Sequence, residues 1–238
     1  MTSTSYDERR TEIETYFDRT AADAWSALTS DAPVSRIRQT VRAGRDEMRA
    51  TLLSWLPADL TGLKVLDAGC GTGAFSVEAA RRGASVVAID LSPTLVELAR
   101  ERQPTDLAPG HIDFRVGDMA SVEGEAFDYV VAMDSVIHYD PHHAVEVLAK
   151  LAANVRHGIV FTFAPRTPLL AIMHAVGGLF PRKDRAPAIV PIAEKRLYGD
   201  LGDAPGLATW ERGRSHRVKS GFYTSQACEL RRQEASAG

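Results

Sequence analysis

The hydrophobic pattern changes period near residue 56. Before it, Ile13, Tyr16, Phe17, Ala21, Ala24, Trp25 and Leu28 recur at three- and four-residue steps, the spacing of one helical face. Ser30-Asp31-Ala32-Pro33 breaks that face. A second one runs through Val34, Ile37, Val41, Met48 and Leu52 until Pro57 ends it. After it, short β-branched and apolar runs take over. Lys64 to Ala68, Ser85 to Asp90, Ile112 to Val116, Phe127 to Met133 and Gly158 to Phe163 read as strands. Helical faces carried by Phe75, Val77, Ala79 and Ala80, by Leu95 to Ala99, and by Val145 to Val155 lie between them. Such alternation calls for a parallel sheet, because each crossover must return across a sheet face as a helix. Leu207 to Arg212 and Phe222 to Arg231 read as a closing pair of strands. The predicted fold is α/β: a doubly wound, mostly parallel, seven-stranded Rossmann-like sheet. A helical arm over 1–56 precedes the main domain over 57–238, and 164–206 is a substrate-side insertion.

Composition narrows the function classes. The chain has 238 residues, 45% of them apolar, which is enough to bury a sizeable core. Lys plus Arg is 28 and Asp plus Glu is 31, a net charge of −3, so no basic surface marks a general nucleic-acid binder. Two distant cysteines provide neither a disulfide framework nor a thiolate metal site. Met1 to Glu8 lacks the apolar core of a signal peptide, and no run approaches the roughly 18 apolar residues of a membrane span. These features predict a reducing, cytoplasmic location. Thr167 to Phe180 is apolar but too short to span a bilayer, and it reads either as a buried helix or as an interfacial segment.

The candidate chemistry begins where the first strand ends, in Asp67-Ala68-Gly69-Cys70-Gly71-Thr72-Gly73. Glycines allow a sharp turn and close approach of a ligand to the amino terminus of the next helix. Gly69, Gly71 and Ala74 also satisfy a dinucleotide fingerprint, with Asp90 about 20 residues on, so the loop alone does not exclude a nicotinamide enzyme. Asp67 counts against a nicotinamide enzyme without excluding it. A carboxylate there repels a pyrophosphate and suits a cationic ligand. Asp90 can take both ribose hydroxyls, with Leu91 beside it, and Asp118, with Met119, can meet an adenine amino group. Acid at three successive strand ends fits S-adenosylmethionine, which carries a sulfonium and an ammonium and no phosphate. The pattern resembles class I S-adenosylmethionine-dependent methyltransferases. Cys70 reads as a small turn-filling residue and Cys228 as core packing.

The fourth strand leads into Asp134-Ser135-Val136-Ile137-His138-Tyr139, at the carboxyl end of the sheet where ligands bind. Asp134 joins the cofactor-binding candidates there. His138 reads equally as a site residue or as a buried, satisfied histidine. His142 and His143 read as solvent-side caps of the next helix. The arm carries Tyr16, Phe17 and Trp25 on one face and Arg36, Arg38, Arg42 and Arg45 beyond it. A later stretch runs Phe161-Thr162-Phe163-Ala164-Pro165-Arg166 and on to Leu179-Phe180-Pro181-Arg182. Together these segments resemble the magnesium-protoporphyrin O-methyltransferases of bacteriochlorophyll biosynthesis, over nearly the whole chain.

The resemblance implies methyl transfer to a propionate carboxylate of Mg-protoporphyrin IX, with S-adenosylhomocysteine as product and no protein-bound metal. It assigns a positioning role to Tyr16 and His138, although axial contact from one of them to the substrate magnesium is an equally open role. Trp25, Arg42, Arg45 and Arg166 become candidate substrate contacts, with Arg42 and Arg45 facing a carboxylate of either cofactor or substrate. A Mg-chelatase large subunit and the periphery of an inner or photosynthetic membrane become candidate partners. Rival readings are a methyltransferase for another planar or quinone-like metabolite and a non-catalytic porphyrin carrier.

Overall fold

A computed structural model describes residues 6–19, 36–122, 124–166 and 189–233. The elements in chain order are α1 (Tyr6–Arg19), α2 (Arg36–Trp55), β1 (Lys64–Ala68), α3 (Ala74–Arg81), β2 (Ser85–Asp90) and α4 (Pro93–Glu101). They continue with β3 (His111–Val116), β4 (Phe127–Ala132), a 3-10 turn at Val136–His138, α5 (Pro141–Ala152) and β5 (Val155–Phe163). The chain then forms α6 (Glu194–Gly202), a second 3-10 turn at Pro205–Leu207, β6 (Trp210–Ser220) and β7 (Tyr223–Arg232).

Seven strands form one sheet in the order β3-β2-β1-β4-β5-β7-β6. The pairs among β1 to β5 are parallel, and β7 enters antiparallel between β5 and β6. Strand side chains alternate between faces, so neighbours in sequence serve different cores. Val65 and Val86 pack with Met48 and Leu52 of α2 and with Phe75, Ala79 and Ala80 of α3. Leu66 and Val87 pack with Val145 and Leu148 of α5 and with Leu197 and Leu201 of α6. Helices on both faces make the sheet doubly wound, as the alternating pattern requires. Order reverses between β1 and β4, the position where such sheets open a ligand crevice.

Some boundaries differ from the sequence reading, each for a local reason. α5 begins at Pro141, ahead of the apolar stripe, because the Asp140 carboxylate caps it by accepting from the His143 backbone N–H at 3.1 Å. That cap is Asp140, not the neighbouring histidines. α5 stops at Ala152, and Val155 already belongs to β5. The first closing strand starts later and runs longer than expected, over Trp210–Ser220, because it pairs with β7 (Tyr223–Arg232) on both sides of a register shift between Arg212 and Ser215, while β7 also pairs with β5. Trp25 and the 167–180 stretch lie outside the described residues. The chain leaving β5 is bridged between Pro165 and Ile192, and the Ile192 N–H donates to the Ala164 carbonyl at 2.8 Å.

Candidate active site

At the carboxyl ends of β1, β2, β3 and β4 lies a cavity of about 300 Å³. Its wall includes Asp67, Gly69, Gly71, Asp90, Leu91, Asp118, Met119, Asp134, His138, Arg42 and Arg45. Residues expected from five separate segments of sequence therefore meet in one place. Gly73, Tyr16 and Arg166 do not line it. Gly73 adopts φ 76° just ahead of α3 and packs against Phe114, Tyr16 is partly buried on α1, and Arg166 is exposed beside the Ile192 bridge.

The glycine loop is fixed by its own backbone. Gly69 and Cys70 N–H groups donate to the Ile89 carbonyl at 2.8 and 3.0 Å, and the Gly71 N–H donates to Asp90 at 2.8 Å. Gly69 has φ 84°, and a Cβ there would lie 2.4 Å from the Ser135 Cβ. Glycine is required on both counts, conformation and space.

The strand-end acids sit in a dry environment. Asp67 is 2% exposed and accepts from the Ser76 hydroxyl at 2.5 Å. Burial pushes its carboxyl up to about 7, against the lowering effect of the Ser76 bond. Burial also raises Asp90, while backbone N–H groups of Ser92 and Gly71 oppose the rise. The Cys70 thiol is pushed well above its ordinary range by burial and then by the charges of Asp90 and Asp67, which fits a packing role.

Helix α1 closes one side of the cavity through Ile13 of its apolar face and through Tyr6 and Asp18, which no sequence pattern marks. The Tyr6 hydroxyl donates to Asp118 at 2.8 and 2.9 Å, and the Tyr6 ring stacks on Tyr139 at 5.5 Å. Ile13 lines the cavity, and Asp18 accepts from the Thr94 hydroxyl at 2.7 Å at the start of α4. No pattern marks Tyr6, because one aromatic at a chain end carries no periodic signal.

His138 is buried in the 3-10 turn after β4 and faces the same cavity as the glycine loop. The turn is braced from the stretch ahead of α6, where the Val190 N–H donates to the Ile137 carbonyl at 2.9 Å. His143 and His142 face Asp140 and Glu146 at 2.9 and 3.4 Å. Arg45 is within 2.7 Å of Asp134.

The cavity fits the cofactor read from the sequence. It offers carboxylates at three strand ends, a loop that requires glycine at position 69, and the Ser135 hydroxyl, buried at the wall with no hydrogen-bond partner among the described residues. Asp67 would hold the ammonium, Asp90 the ribose hydroxyls and Asp118 the adenine amino group.

Comparison with known proteins agrees. The chain is 49% identical to a magnesium-protoporphyrin O-methyltransferase of Rhodobacter capsulatus, over 95% of this chain and 98% of that one. It belongs to the magnesium-protoporphyrin O-methyltransferase family. Residues 132–232 match the family model for the magnesium-protoporphyrin IX methyltransferase C-terminus, and 65–158 match a general methyltransferase domain. A crystal structure of magnesium protoporphyrin IX methyltransferase from Synechocystis, with SAH bound, superposes with a TM-score of 0.81 at 30% identity, covering 94% of this chain and all of that one. A ubiquinone biosynthesis O-methyltransferase of Methylocella silvestris is 38% identical, but over only 51% of each chain. The quinone reading therefore rests on half the molecule, and the porphyrin reading on nearly all of it.

Proposed function

We propose that this protein transfers a methyl group from S-adenosylmethionine to a propionate carboxylate of Mg-protoporphyrin IX, giving the monomethyl ester and S-adenosylhomocysteine. The observation that carries the reading is the shared cavity: acids for a cationic cofactor on one wall, and the His138 turn on another. When bound, S-adenosylmethionine supplies an electrophilic methyl on its sulfonium. A carboxylate is already ionised at neutral pH, so the chain has no need of a strong base. Its work is to orient one carboxylate oxygen and to keep water away. His138 does the orienting by donating one hydrogen bond, which leaves the oxygen nucleophilic. Tyr16 is the second positioning group, on the helix whose Ile13 lines the cavity, and Arg42 faces the propionate charge from α2.

Purified protein incubated with S-adenosylmethionine and Mg-protoporphyrin IX gains one methyl on the porphyrin, read by mass spectrometry. Binding of the porphyrin without any methyl product overturns the reading in favour of a carrier. Methylation of a catechol-type quinone precursor in its place favours the quinone reading. The resemblance further suggests docking on a Mg-chelatase large subunit, tested by co-purification, and the apolar run over 167–180 suggests either a buried helix or contact with a membrane surface, told apart by vesicle flotation. Among the described residues no helix is long and apolar enough to cross a membrane.

A further inference from the structure

Among the described residues, Asp134 is the one non-glycine with a left-handed backbone, at φ 53°. Such a conformation persists where the surroundings over-determine it, and it clusters at functional sites. The surroundings here are specific. Arg45 of α2 donates to the Asp134 carboxylate at 2.7 Å. The Tyr223 hydroxyl of β7 lies 3.1 Å from each carboxylate oxygen. Thr162 of β5 donates at 3.1 Å and Ser225 of β7 at 3.3 Å. The Thr162 oxygen also accepts the Asp134 backbone N–H at 2.7 Å, clamping the residue at both ends. Four donor side chains meet the roughly four lone-pair directions that a carboxylate offers. Little capacity is left for a cofactor ammonium.

The chain beyond Asp134 is short and stiff. Ser135 immediately precedes the 3-10 turn that ends at His138, so the backbone angle at Asp134 sets where both side chains enter the cavity. Tyr223 is itself held from outside. A Cβ on Gly44 would come within 2.5 Å of its ring, so α2 rests directly on it. Burial and then the Asp134 charge push the Tyr223 hydroxyl far above its ordinary range, so it remains a donor wherever the enzyme works.

We propose that Asp134, Tyr223 and Arg45 are positioning residues for methyl transfer. The Asp134 carboxylate, gripped by β7, β5 and α2, fixes the left-handed turn that aims Ser135 and His138 at the reacting centre, and it does not hold the cofactor's charge. This rests on the methyl-transfer reading and adds to it the parts of the chain that align the site.

The test compares wild type with Tyr223→Phe, Asp134→Asn and Asp134→Ala. It records melting temperature, SAH affinity by calorimetry, kcat and KM for both substrates, and the nitrogen NMR signals of the His138 ring. Tyr223→Phe keeps the ring against Gly44 and lowers kcat roughly tenfold, while Asp134→Ala lowers it roughly a hundredfold. In both, SAH affinity stays within about threefold, since no cofactor contact is lost. Asp134→Asn tolerates the left-handed region and still accepts hydrogen bonds, so it recovers most of what alanine loses. The His138 signals move in Tyr223→Phe, a readout independent of turnover. A loss of SAH affinity in Asp134→Asn overturns the proposal and makes the carboxylate a direct cofactor ligand. Wild-type kcat and unmoved His138 signals in Tyr223→Phe overturn it as well. So does a parallel fall of kcat, affinity and melting temperature, which marks a purely structural role. If wild type binds SAH but methylates no porphyrin, the functional reading fails, and the His138 signals still decide the positioning claim.

Discussion

The loop from Asp67 to Gly73 and the junction around Asp134 lie at neighbouring strand ends, and they are assembled differently. The loop is one stretch of chain, with its bonds to Ile89 and Asp90 on the adjoining strand. The junction draws Arg45, Thr162, Tyr223 and Ser225 from three elements, α2, β5 and β7, onto Asp134 in the turn after β4. A local loop can be written as a motif, because the residues that need each other sit together. The junction cannot, because its members become neighbours only after the sheet has closed. The same contrast separates binding from alignment: the loop gathers groups suited to a cation, and the junction orients the turn that carries His138.

Perturbing each side in turn should break the two functions apart. The largest effect is expected at Gly69. Valine there must hold φ 84° and share space with Ser135, a strain of about 1–3 kcal/mol before any clash. SAH affinity should fall roughly a hundredfold or more, measured by calorimetry. Retained affinity would show that the loop does not approach the cofactor. On the other side, His138→Ala should lower kcat by roughly 10- to 100-fold with SAH affinity preserved, the loss of a single well-placed hydrogen bond. If His138→Ala and Tyr16→Phe both turn over at the wild-type rate, the assigned pair is wrong.

Gly44→Ala tests the far support of the junction. Helix propensity gains about 1 kcal/mol, but a methyl pressed on the Tyr223 ring costs about 1–3 kcal/mol. A net loss near 1 kcal/mol in chemical denaturation, with a lower kcat, is expected; a stabilised and fully active variant would show that α2 yields without disturbing Asp134.

The smallest effect belongs to Asp67. Its folded carboxyl titrates near about 7, above the ordinary carboxylate range, because it is buried. The folded chain thus binds this proton more readily than the unfolded chain. Its contribution therefore destabilises the free protein as pH rises from the ordinary range through about 7. Cofactor binding runs the other way. An ammonium needs the ionised carboxylate, so SAH affinity should climb by at most about tenfold from about pH 6 to about pH 8 and then level off. Asp67→Asn should abolish that slope; a slope unchanged in the variant would place the titration elsewhere.

Much of the site was readable from residues alone. Asp67, Asp90 and Asp118 each close a strand whose β-branched run is visible, and a parallel sheet brings successive strand ends to one edge. What escaped was what periodicity does not encode. Tyr6 pairs with Asp118 across 112 positions, and its value comes from stacking on Tyr139. Tyr223 read only as part of a late strand, yet it is the hydroxyl that fixes the turn ahead of His138. Arg45 was read as a partner for a ligand carboxylate, and the carboxylate it meets in the fold is Asp134.

The layered α/β sheet and the cation-suited strand ends are legible in the residues alone, because hydrophobic period, strand-end acids and loop glycines act within a few residues of one another; the family is legible as a resemblance over nearly the whole chain. Tertiary structure decided which face α2 covers, that α1 closes over Asp118, and that three separate elements converge on the Asp134 carboxylate. Those outcomes depend on burying polar groups far apart in the chain, and a buried carboxylate finds its donors only when packing brings them to it.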